Sequence, residues 1–95
     1  MYASITNYQW KSALTEDERG QLEREVINVL AGSPEFKAYY AVKVSDTETA
    51  AVVVFESQAA SEQARARVTA AQQRIVGTKI VGQPRRVTGE VVMHK

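Results

Sequence analysis

From Tyr2 to Tyr8 the side chains fall into two alternating sets, Ala3, Ile5 and Asn7 against Tyr2, Ser4, Thr6 and Tyr8, which predicts a strand. Thr15-Glu16-Asp17-Glu18 then forms a capping box: the Thr15 hydroxyl can accept from the Glu18 amide while the Glu18 carboxylate reaches back. The three acids also complement the positive end of a helix dipole. Leu22, Val26, Val29 and Leu30 recur at helical spacing, with Glu16, Arg19 and Glu23 on the wet side. Gly32-Ser33-Pro34 ends this helix, because Gly32 can adopt a left-handed cap and Pro34 has no amide with which to continue.

Phe36 to Val44 alternates again, Ala38, Tyr40, Val42 and Val44 opposing Lys37, Tyr39, Ala41 and Lys43. After the polar turn Ser45-Asp46-Thr47-Glu48, the stretch from Thr49 to Glu56 is rich in β-branched residues and apolar on both faces, so the pair reads as a hairpin. Ser57 or Ser61 caps a second helix with an inner stripe of Ala60, Ala64, Val68, Ala71 and Ile75, stopping near Gly77. A stripe so rich in alanine fits either a close approach to the sheet or an unfilled space above it. Thr78 to Arg85 is a connection in which Lys79-Ile80-Val81 can form a short extended piece, and Arg86 to His94 is a final strand.

The resulting β-α-β-β-α-β order predicts one α+β domain over residues 1–95, a ferredoxin-like sandwich with a four-stranded antiparallel sheet and both helices on one face. One layer of helices covers only one face of a sheet, yet the strand from Thr49 to Glu56 is apolar on both. A domain of 95 residues buries only about 60 to 65% of its unfolded surface, which again favours a partner subunit. Twelve Lys+Arg against eleven Asp+Glu leave a net charge of +1, too small a field to favour nucleic acid or a membrane surface as partner. The absence of Cys and the single His remove thiol nucleophiles, thiolate metal sites and His clusters, so no metal or cofactor is expected. With no basic, apolar leader and no run long enough to span a bilayer, the expected location is cytoplasmic.

Three stretches carry a sharper likeness: Met1-Tyr2-Ala3-Ser4-Ile5-Thr6-Asn7-Tyr8, Val52 to Glu62, and Val87 to Lys95. Together they resemble the small dimeric α/β-barrel proteins of the antibiotic biosynthesis monooxygenase superfamily over nearly the whole chain. That resemblance implies two ferredoxin-like sheets joined into a barrel as a homodimer, with a pocket in each subunit between its own sheet and helices. The superfamily includes cofactor-free oxygenases of aromatic polyketides, haem-degrading enzymes and isomerases, so fold alone does not transmit a reaction. Haem-degrading relatives carry a Trp and an iron-ligating His on the second helix, and Ser57 to Val76 contains neither. The implied alternatives are a cofactor-independent monooxygenase acting on a small apolar or aromatic molecule and a non-catalytic ligand-binding or structural homodimer.

Among individual residues, Asn7 would project an amide into an apolar pocket if the Ala3, Ile5 and Asn7 face looks toward the helices. Ile5 would then line that pocket. Trp10 could lid it or stack on an aromatic ligand, and of Tyr39 and Tyr40, which point to opposite faces, Tyr40 is the ligand-binding candidate. His94 alone has an unperturbed pKa suited to acid-base work near neutrality, making Asn7, Trp10 and His94 the catalytic candidates. Glu90 lies about 13 Å from His94 along a strand, too far for a dyad. Arg65, Arg67, Arg74, Arg85 and Arg86 make the second half basic; at this net charge they read first as a solvated face and not a nucleic-acid patch, with an anionic ligand near Arg85-Arg86 as the alternative.

Overall fold

A computed structural model describes residues 1–95. Strand β1 (Tyr2–Gln9) is followed by helix α1 (Glu16–Ala31), strands β2 (Phe36–Ser45) and β3 (Glu48–Phe55), helix α2 (Gln58–Val76), a single 3-10 turn (Gly77–Lys79) and strand β4 (Arg85–Glu90). The sheet order is β2-β3-β1-β4, with β1 antiparallel to both β3 and β4, and β2 antiparallel to β3. This is the ferredoxin-like arrangement that the order of elements predicts.

The capping box forms as the sequence dictates: Glu18 N donates to Thr15 Oγ1 at 3.1 Å and Thr15 N donates to Glu18 Oε1 at 2.9 Å. Gly32 caps the other end in a right-handed conformation, φ −70°, and not the left-handed one expected. Pro34 two residues beyond still prevents continuation. Of the two serines available to start α2, Ser57 is the cap, its hydroxyl accepting from Ala60 N at 3.2 Å. Ser61 is instead buried in the first turns of the helix.

Two small cores hold the layers together. Val26 and Leu30 of α1 meet Ala60 and Ala64 of α2 over Phe55 of β3, and Tyr8 and Trp10 pack on Val76 at the far end of α2. The connection after α2 contains the expected extended piece. Ile80 bridges Trp10, Lys11 N donates to Lys79 O, and Val81 N donates to Gln9 O at 2.9 Å, so this segment clamps the end of β1. Gly82 takes the positive φ of 66° at which the chain turns toward β4.

Strand register settles which side chains face the helices. Thr6 and Tyr8 of β1 lie opposite Ala51 and Thr49 of β3, and both are buried beneath the helices, as is Trp10. Ala3, Ile5 and Asn7 therefore point the other way, so Asn7 and Ile5 do not enter the pocket as the sequence reading expects. The reason is area: Tyr8 and Trp10 each bring about 150–250 Å² of surface to bury, and only the even set carries them. The opposite face of the sheet is uncovered, leaving Ile5 48%, Tyr40 64% and Val87 69% exposed. Val52 and Val54 lie on the same face, so β3 is apolar on both sides in the fold as in the sequence.

The last strand is shorter than expected. Pairing runs out at Tyr2 with Glu90, and after Val91 N donates to Met1 O no residue of β1 remains to pair. Val92, Met93, His94 and Lys95 are consequently exposed and outside the sheet.

Candidate functional site

The two helices meet the sheet differently. α2 lies directly on β1 and β3, whereas α1 packs on α2 and stands off from the sheet. Beneath α1 and along β2 this leaves a cavity of about 570 Å³. That volume falls within the range usual for small-molecule sites.

Its inner wall is aromatic. Tyr8 and Trp10 alternate onto the same side of β1, and their rings stack at a centroid distance of 5.7 Å with an interplanar angle of 20°. Each is fixed by its polar tip: Trp10 Nε1 donates to Thr49 Oγ1 at 3.0 Å, and Tyr8 Oη lies 2.9 Å from Gln72 Nε2 and 3.1 Å from Gln72 Oε1. Trp10 is only 4% exposed. The roof is aliphatic, from Leu22 and Val26 of α1, and the mouth carries the charges of Arg19, Glu23 and Lys43.

Tyr39 stands on the floor, on the helix-facing side of β2, paired in register with Val53. Burial, reinforced by Tyr8 and by Glu23, pushes its phenol above the ordinary pKa of 10.0. A group so shifted stays protonated through the neutral range, so it offers a hydrogen-bond donor and not a base.

Of the residues singled out from sequence, Trp10 is in the wall. Asn7 is on the opposite face, where Nδ2 donates to Glu48 Oε2 at 2.7 Å and Oδ1 accepts from Gln9 Nε2 at 3.3 Å. Ile5 shares that face, and Tyr40 reaches only the rim of the cavity because strand alternation turns its ring outward. His94 lies beyond the last strand and does not line the cavity. Tyr39 takes the place expected of Tyr40. Tyr8 and Gln72 were missed; the even parity shared by Tyr8 and Trp10 was the available signal for Tyr8, while Gln72 lies one residue from the expected alanine stripe.

No protein-family model matches the chain, and no curated protein matches it. Solved structures do. SnoaB, a cofactor-independent oxygenase from Streptomyces nogalater, superposes with a TM-score of 0.75 at 10% identity, covering 98% of this chain and 94% of that one. A dimeric ferredoxin-like protein of unknown function from Thermobifida fusca gives 0.68 at 16% identity, covering 95% and 90%. An antibiotic biosynthesis monooxygenase gives 0.69 at 15% identity, covering 98% and 100%. Over nearly its whole length, the chain shares the ferredoxin-like fold of these proteins.

Proposed function

We propose that this chain pairs with a second copy through the open sheet face, and that each subunit binds a small, largely apolar or aromatic molecule in the cavity under α1. The observation that carries the binding reading is the stacked Tyr8 and Trp10 wall, anchored by two hydrogen-bonded tips and facing about 570 Å³ of space. A rigid aromatic wall of this kind suits a flat ligand, which it meets by offset stacking. For pairing, the support is the run of Ile5, Tyr40, Val42 and Val87, exposed together on one sheet face where a monomer ordinarily exposes such residues singly.

A second reading adds catalysis. A cofactor-independent oxygenation would use the bound substrate's own carbanion or phenolate to reduce O₂, and the protonated Tyr39 could donate a hydrogen bond to the anionic oxygen. The fold shared with SnoaB, a cofactor-independent oxygenase, supports asking the question. The cavity wall supplies donors and aromatic surface but no carboxylate beyond Glu23 at the mouth, which makes binding the better supported of the two.

Trp10 is the only Trp, so its fluorescence reports directly on the cavity. Titration with anthrone and with a naphthoquinol should quench it saturably, and Ala51→Phe, which fills the space without adding a second indole, should abolish the response. Oxygen uptake with the same compounds, lost in Tyr39→Phe, would establish the catalytic reading; saturable binding without uptake would leave binding alone. Light scattering should give a dimer at micromolar concentration and a monomer for Val52→Glu, and a monomeric wild type would remove the pairing.

A further inference from the structure

A second cavity, of about 40 Å³, lies between α2 and β1 and is lined at one end by Ser4, Thr6, Ser61, Arg65 and Arg86. It exceeds the roughly 10–15 Å³ that one water needs, and suits a small polar group. Thr6 and Ser61 are buried, and Arg86 Nε donates to Thr6 Oγ1 at 3.1 Å, which aims the guanidinium along the cavity wall. Neither Arg65 nor Arg86 has an acidic partner, although Arg74 pairs with Glu25 and Lys79 with Glu18. No carboxylate lines this cavity. Arg85, by strand alternation, lies on the open face opposite Asn7 and plays no part.

The other end is apolar, with Leu30, Val53 and Phe55. Tyr8, Val26, Tyr39, Ala51 and Gln72 border both this cavity and the larger one, so the two spaces are adjacent across a shared wall. From this juxtaposition of two unpaired guanidiniums and three hydroxyls with an aromatic-walled cavity, we infer that the ligand is an aromatic or aliphatic carboxylic acid. Its carboxylate sits against Arg86 and Arg65, and its body lies under α1. A planar carboxylate meets the fork of a guanidinium bidentately, and it is smaller than a tetrahedral phosphate or sulfate, which suits a space of about 40 Å³. Gln72 borders both spaces and bonds Tyr8, so a ligand that spans them requires its side chain to turn aside. The inference rests on the binding reading above and sharpens it to a substrate class.

The test compares 2-naphthoate with its neutral amide, 2-naphthamide, by isothermal titration calorimetry. The carboxylate should bind about tenfold or more tightly than the amide, and Arg86→Gln should erase that preference while Arg67→Gln, outside the cavity, leaves it intact. Raising the salt concentration on the wild-type protein should weaken naphthoate and spare naphthamide, a readout that needs no variant to fold. Equal affinities for the two probes, or equal losses for both in Arg86→Gln, would overturn the carboxylate assignment and leave the apolar binding reading standing. Binding of neither would overturn both.

Discussion

The two helices of this domain solve the same problem in opposite ways. α2 presents Ala60, Ala64 and Ala71, all buried, and lies flat on β1 and β3. α1 presents Leu22, Val26 and Leu30, larger side chains that hold its backbone off the sheet and touch down chiefly through Leu30 near Phe55. Small residues therefore close one half of the layer and large ones prop open the other. The alanine stripe is compatible with a void above the sheet, yet only about 40 Å³ lies beneath it, and the larger void of about 570 Å³ lies under the bulkier helix. A long side chain fills space only along its own direction, so a helix raised on a few of them leaves room between the props.

This contrast can be broken most sharply at Leu30. Leu30→Ala removes the prop at the closed end and should cost about 3 kcal/mol in urea unfolding, whereas Leu22→Ala, already bordering the cavity, should cost under about 1.5 kcal/mol. Similar losses at both would mean that the space under α1 closes readily. Next comes overpacking: Ala71→Leu should cost about 1–3 kcal/mol because Ala71 is buried and borders neither cavity, while Ala51→Leu should be nearly neutral, growing into the cavity and weakening ligand binding. If Ala51→Leu proves the worse, the assignment of closed and open halves is inverted.

Tyr8→Phe probes the wall between the halves. It leaves the buried Gln72 amide without its phenol partner and should cost about 1–2 kcal/mol; adding Gln72→Leu should recover most of that, and a failure to recover would place the loss in packing. The smallest effect is electrostatic. Glu18 joins the start of α1 to the turn after α2 through Lys79, 2.7 Å away. The Lys79 bond, with help from Thr15, holds its carboxyl below the ordinary 4.5. Its contribution is therefore complete above the unfolded pKa and disappears as pH falls through the lower folded value. Glu56 beside Lys37 behaves alike. Melting temperatures should fall on acidification below about pH 4.5, less steeply in Lys79→Met; identical acid limbs would mean that the link contributes nothing.

The elements were legible because each is signalled locally. The Thr15 to Glu18 box, the Ser57 cap and the alternation of Phe36 to Val44 need no tertiary information. What alternation lacks is a sign. It separates Ala3, Ile5 and Asn7 from Thr6 and Tyr8 without saying which set meets the helices, and since this sheet is apolar on both faces, neither set betrays itself by polarity. Asn7 on the open face and Tyr39 in the cavity, where Tyr40 is expected, both follow from that ambiguity. Trp10 was recoverable because its size alone argues for burial. His94 failed for a different cause: where a strand ends depends on how far its neighbour extends, and β1 stops opposite Glu90.

The central position of β1 also governs the order of assembly. β1 precedes both of its partners in the chain, with β3 beginning at Glu48 and β4 at Arg85. The β2–β3 hairpin can close on itself as soon as it is made, but during vectorial synthesis β1 waits with both edges bare, first for β3 and then for β4. Ser4 and Thr6, the polar members of its helix-facing row, keep that waiting strand less sticky than an all-aliphatic one would be. On this view the polar centre of β1 serves the nascent chain as well as the finished domain.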